Sequence, residues 1–180
     1  MKKVFIPAMI ILMATLYFGC AKKKSNVEFD IKYTSDIAIP TYSAAGVTYT
    51  FVSSDIATMI NDELAKNGTN GDLVGEVKYT QFDLAVKSPT TGTLDFIKQI
   101  RFNINAYELP EQQVASRYND ASTPIAAGSK TVSLKINDNN LKNRFMENSV
   151  YFRVKLMTYS VTPSTTLTLT HNIHVKAITQ

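Results

Sequence analysis

From residue 27 onward the chain alternates. Val27, Phe29, Ile31 and Tyr33 are apolar, and Glu28, Asp30 and Lys32 between them are charged. Successive side chains of a strand point to opposite faces, so this spacing predicts a strand with one buried and one wet face. The pattern recurs at Val47, Tyr49 and Phe51, at Ile100, Phe102, Ile104 and Ala106, at Val132, Leu134 and Ile136, and at Val150, Phe152, Val154 and Leu156. The last run passes from Leu167 through Leu169, His171, Ile173 and Val175 to Ala177. One further strand carries Val77 and Tyr79, then Phe82, Leu84 and Val86. Its apolar phase slips between Tyr79 and Phe82, as a β-bulge or a crossing between sheets produces.

About seven strands with one apolar face each predict an all-β fold. Two antiparallel sheets packed face to face bury both apolar sides, so the expected architecture is an immunoglobulin-like β-sandwich with one or two short helices. A barrel is the competing architecture. The likeness to immunoglobulin domains is one of architecture, because the chain has no Trp and one Cys.

Two segments break the alternation. Ser54 is placed to cap a helix with Ile56, Met59, Ile60 and Leu64 on one stripe, ended by Asn67–Gly68. Asp138 or Asn139 is placed to cap a shorter helix through Leu141, Phe145 and Met146. Each helix is expected to cover an open end of the sandwich, with Met59 and Met146 filling core space. Asn70–Gly71 and Pro89 to Gly92 signal turns. The connection from Glu108 to Lys130 is long for a structureless loop, and Val114 to Tyr118 within it is a candidate edge strand.

The N-terminus has a different character. Lys2 and Lys3 precede an uncharged, mostly apolar run from Val4 to Phe18, then Gly19 and Cys20, the chain's one cysteine. A bilayer core takes ~20 apolar residues, so this run has the length of a secretory h-region instead. Gly19 directly before Cys20, with Leu16, Tyr17 and Phe18 ahead of it, resembles the cleavage site of a bacterial lipoprotein signal peptide. The resemblance covers residues 1–20. It implies that 1–19 are removed, that Cys20 carries the lipid, and that the domain sits outside the cytoplasm, in the periplasm or at the cell surface. Residues 20–26 are then a tether and 27–180 a single β-sandwich domain. Lys22, Lys23 and Lys24 would lie at the headgroups, where anionic lipid attracts basic residues. With no second cysteine, the domain is held by its core and not by a disulfide.

Charge gives a further limit. The formal net charge is +4, but five of the 19 basic residues lie at 2, 3, 22, 23 and 24. Residues 25–180 hold 14 basic against 15 acidic groups, a net charge of −1. A nucleic-acid binder concentrates its excess charge on the folded domain, so no nucleic-acid partner is expected.

Catalytic chemistry is thin. His171 and His174 sit three apart on a predicted strand and therefore on opposite faces, so they do not converge on one metal. His171 falls in the apolar phase and reads as a hydrogen-bonded core histidine, and His174 as solvated. Asn137 to Asn140 begin like a calcium loop, but the sixth residue from Asp138 is Asn143 and the twelfth is Ser149, where glycine and glutamate are needed. Asn67–Gly68–Thr69 reads as a turn before it reads as a glycosylation triplet. Glu108 and Glu111 flank Leu–Pro as a polar turn. No G-x-S-x-G occurs. No cofactor, metal or catalytic residue is expected. The sequence points to a membrane-anchored, non-enzymatic binding or assembly module of the cell envelope, with a protein or glycan partner met by the 108–130 loop. Arg117 and Tyr118 in that loop are residue types frequent in binding hot spots. The alternative is a carrier of lipid or another apolar ligand built on a half-open barrel.

Overall fold

The structure, a computed structural model, describes residues 24–42, 44–161 and 164–179. The expected signal peptide, 1–19, and Cys20 lie outside the described residues. Ten strands form: β1 Asn26–Ile39, β2 Thr48–Val52, β3 Ile56–Ala57, β4 Val74–Ser88, β5 Ile97–Asn105, β6 Gln112–Tyr118, β7 Thr131–Ser133, β8 Lys135–Ile136, β9 Ser149–Thr158 and β10 Thr165–Ile178. Two short helices, α1 Ile60–Lys66 and α2 Lys142–Phe145, interrupt them.

The strands build an antiparallel sandwich. Sheet 1 has the order β1-β10-β4-β7, and sheet 2 the order β2-β9-β5-β6-β8, with β3 also pairing to β9. The alternation along β9 is complete: Val150, Phe152, Val154 and Leu156 are fully buried and the residues between them are half-exposed. Phe82 of sheet 1 meets Phe102 and Phe152 of sheet 2 at ring-centroid distances of 5.0 and 5.5 Å. The immunoglobulin likeness holds for the two packed sheets and not for their wiring. Immunoglobulin domains set their first two strands side by side. Here β1 neighbours the last strand, and β1–β2, β4–β5, β6–β7 and β9–β10 each pass from one sheet to the other. That is the wiring of a jelly roll. The competing barrel does not form.

The slip in β4 is a bulge: its register against β10 shifts between Asn172, opposite Gln81, and Ile173, opposite Tyr79. The expected helix at Ser54 is shortened and displaced. Ser53 exchanges hydrogen bonds with β9, its Oγ accepting from the Phe152 amide and its own amide donating to the Phe152 carbonyl. Ile56 pairs with Val150 as part of β3. These sheet bonds outweigh a local Ser54 cap, and α1 starts only after Met59, which takes φ 49°. Ile60 and Leu64 remain buried, but Met59 is 54% exposed and fills no core space. Met146 does pack against the core.

Neither Asp138 nor Asn139 caps α2. Asn140 Oδ1 accepts from the Lys142 amide at 3.1 Å, while Asp138 pairs with Lys78. Asn140 also accepts from the Val77 amide and donates to the Gly75 carbonyl, both at 3.1 Å. Its amide thus stands in for a neighbouring strand along the outer edge of β4.

Both helices cover one end, not one each. Thr69, just after α1, bonds the Ile178 carbonyl, and Leu141, just before α2, bonds Val77. This is the end where β1 begins, six residues after Cys20. β1 is 14 residues long, so the opposite end stands about 44 Å away along the strand. That far end gathers residues 40–42, 44–47, 89–96, 119–130 and 159–161.

Candidate functional site

The predicted 108–130 loop is largely structured. Gln112–Tyr118 is strand β6, and it is not an edge: it lies between β5 and β8. The remaining 119–130 connection folds on itself. Asp120 accepts from the Ser122 hydroxyl and from the amides of Ser122 and Thr123, which together hold its carboxyl below the usual range. Asn119 Oδ1 accepts from the Ile125 amide, and Ile125 is buried. The Arg117 guanidinium donates to the Pro124 carbonyl at 3.0 Å. Tyr118 is 48% exposed. The fold brings Arg117 and Tyr118 together along a groove of about 440 Å³ whose walls include Gln113, Ser116, Lys135 and Asn137.

Register extends this groove into a face. Lys155 of β9 lies opposite Thr50 of β2 and Arg101 of β5. Arg101 lies opposite Ser116 of β6, and Ser116 opposite Lys135 of β8. Thr50, Lys155, Arg101, Ser116 and Lys135 therefore form one row across all five strands, on the outer surface of sheet 2. Like charges directly opposite one another destabilise a sheet, and beside Arg101 the charge of Lys155 is offset by Glu111, 3.0 Å away.

Glu111 is the carboxylate of this face. It bonds Arg153 at 2.7 Å and Lys155 at 3.0 Å. Burial alone raises its pKa, but Lys155 and Arg153 outweigh that and hold it below the usual carboxylate range. Arg101 and Lys135 make no ion pair among the described residues, and Arg101 Nε is buried without a partner. The outer face of sheet 1 contrasts with this. Lys78 pairs with Glu76 and Asp138, Lys87 with Asp36, and Lys176 with Glu28 and Glu76. Among the described residues, sheet 1 thus pairs three of its outer-face lysines and leaves Lys32 without a carboxylate, whereas on sheet 2 both Arg101 and Lys135 are left without one.

The two histidines face opposite ways, as alternation requires. His174 faces solvent, half-exposed, and also meets carboxylates there: Nδ1 sits 2.8 Å from Asp30 and Nε2 3.5 Å from Glu28. His171 is fully buried but not hydrogen-bonded, because both its nitrogens lack a partner. Tyr33 and Phe82 stack on its ring, and Tyr79 and Phe152 meet it edge-on, at 5.1–5.6 Å. Burial pulls its pKa down to about 3. Among the described residues no group of three or more His, Cys, Asp or Glu is placed to hold a metal ion. The asparagine run serves structure: Asn137 and Asn139 both donate to the Gln113 carbonyl. No described helix is long and apolar enough to cross a membrane.

No family model matches the chain, and no curated protein sequence matches it either. Among solved structures it is similar to a Desmodium yellow mottle tymovirus chain, with 11% identity over 87% of this chain and 91% of that one, at a TM-score of 0.32. It is also similar to a chain from a study of carbohydrate-binding modules of the β-sandwich superfamily. There the identity is 12% over 90% of this chain and 58% of that one, at a TM-score of 0.27. These likenesses concern the sandwich fold alone.

Proposed function

We propose that the chain is a bacterial lipoprotein, held on a membrane through Cys20, that works as a non-enzymatic binding module of the cell envelope. Its contact surface is the outer face of sheet 2 with the groove beside Arg117 and Tyr118. The observation that carries this reading is the row Lys155–Arg101–Ser116–Lys135, in which Arg101 and Lys135 have no counter-charge of their own. Two cations left unmatched in one row across the strands, on a domain that pairs most of the lysines of its other face, fit a partner that supplies the anions.

Two measurements test the proposal. Cells fed a labelled fatty acid should label the wild type and not Cys20→Ser; label on neither sinks the anchor. For the contact face, benzoylphenylalanine in place of Tyr118 should give photo-adducts in the intact envelope, and the same probe in place of Ser133, on sheet 1, should give none. Adducts at Ser133 alone would move the contact surface to the other sheet.

A further inference from the structure

We infer that the ligand of the sheet 2 face is an acidic glycan, a hydroxyl-rich chain carrying carboxylate or similar anionic groups, lying across the strands. This rests on the proposal that this face is the contact surface. The row runs perpendicular to the strands, and neighbouring strands lie ~4.8 Å apart. Arg101 and Lys135 are two strands apart, so their anchor points are separated by roughly 10 Å. Two unmatched cations at that spacing suit successive anionic groups on one extended chain better than one small anion.

The groove that Lys135 lines, with Arg101 two strands away along the row, is polar in a particular way. Ser122 and Thr123 give their hydroxyl protons inward, to Asp120 and to the Tyr118 carbonyl. Their oxygens remain acceptors for hydroxyl groups of a ligand. Asn137 donates to Gln113 and keeps its amide oxygen free in the same way. Asp120 lines the groove too: its loop occupies Oδ1, and its negative charge sets that end of the groove against an anionic group, which places the anions of the ligand towards Lys135 and Arg101. Tyr118 presents an exposed ring at the edge, an apolar body with a polar tip, suited to the C–H face of a sugar. An acidic peptide supplies the anions, and its backbone N–H groups can use the acceptors, but it brings no sugar ring for the face of Tyr118. Single-stranded nucleic acid calls for successive aromatic platforms for its bases, whereas Tyr118 is the one aromatic residue lining this groove.

The full chain, reconstituted in phosphatidylcholine nanodiscs, is titrated with polygalacturonate, neutral amylose, polyglutamate, single-stranded DNA and phosphatidylglycerol vesicles. Polygalacturonate should bind at least about tenfold more tightly than polyglutamate or DNA of equal charge, and amylose should not bind. Arg101→Gln and Lys135→Gln should each weaken polygalacturonate about tenfold, as loss of a charge-assisted hydrogen bond does. Tyr118→Ala should weaken polygalacturonate and leave polyglutamate unchanged. Equal binding of every polyanion, or a preference for the anionic vesicles, overturns the glycan assignment. Loss of that binding in the Arg101→Gln and Lys135→Gln chains would still leave sheet 2 as the contact face. Binding undiminished in the double variant overturns the face as well. No binding of any polyanion overturns the glycan, and the photo-adducts at Tyr118 then decide the face by themselves.

Discussion

His171 gives the sandwich a pH dependence that one substitution isolates. The ring lies fully buried among Tyr33, Tyr79, Phe82 and Phe152, with both nitrogens unpaired. Burial lowers its pKa from 6.5 to about 3. In the unfolded chain it titrates at its ordinary value near 6.5. Between those values the unfolded state holds the proton and the folded state does not, so stability rises with pH across that window. The stability is complete above about pH 7 and is lost as pH falls from 6.5 towards 3. At pH 5 the loss depends almost wholly on the unfolded value. It amounts to about a thirtyfold shift towards the unfolded state, or about 2 kcal/mol, and reaches about 4 kcal/mol near pH 3. Urea unfolding followed by circular dichroism at pH 7 and pH 5 measures it. His171→Phe keeps a ring in the aromatic box and binds no proton. Every other group of the chain is common to both proteins and cancels in the comparison. Wild type should lose about 2 kcal/mol more than the variant between the two pH values. Equal losses would refute the reasoning, because His171 would then share its protonation between the two states.

Four further outcomes follow from the same geometry. Asn140→Ala removes the partner of the Val77 amide, the Gly75 carbonyl and the Lys142 amide; it should cost about 2–3 kcal/mol, read as a fall in Tm of roughly 5–10 °C. Met59→Gly relieves a left-handed residue, φ 49°, that buries little, and should stabilise the chain by about 1 kcal/mol in the same melt. Phe152→Ala empties a fully buried site between the sheets and should cost about 3–5 kcal/mol in urea. Glu111→Gln removes the partner of Arg153 and Lys155 and should cost about 1 kcal/mol at pH 7. Because the folded Glu111 carboxyl is depressed, that difference should shrink as the pH falls below the ordinary carboxylate range, while polygalacturonate binding at pH 7 strengthens.

The candidate site was legible in the sequence only in part. Arg117 and Tyr118 stand out as binding residue types in a long connection, and the fold sets both along one groove. Arg101, Lys135 and Lys155 gave no such signal. They are scattered over 55 residues of sequence, and each alone is an ordinary polar position on a half-buried strand. Register alone brings them into one row, and register depends on hydrogen bonds between strands far apart in the chain. The same holds for the net charge of −1 on residues 25–180, which averages over two faces that differ.

Local periodicity was enough to place the long strands and the buried side of each, but not β3, where a helix was expected, nor the division of the expected strand at Val132, Leu134 and Ile136 into β7 and β8 on different sheets. Val150 to Leu156 and Leu167 to Ala177 alternate in the structure as they do in the sequence. The phase slip at Tyr79 and Phe82 determined the bulge, because one extra residue necessarily turns the following side chains over. Tertiary structure decided what local pattern could not reach. Bonds from Ser53 to β9 overrode the helix start at Ser54, since two sheet hydrogen bonds outweigh one local cap. Pairing on both sides placed β6 inside sheet 2. Packing buried His171 in an aromatic box with no partner for its nitrogens. The order of strands, which no single segment carries, decided that Arg101 and Lys135 share one row without a carboxylate beside them while most lysines of sheet 1 are paired.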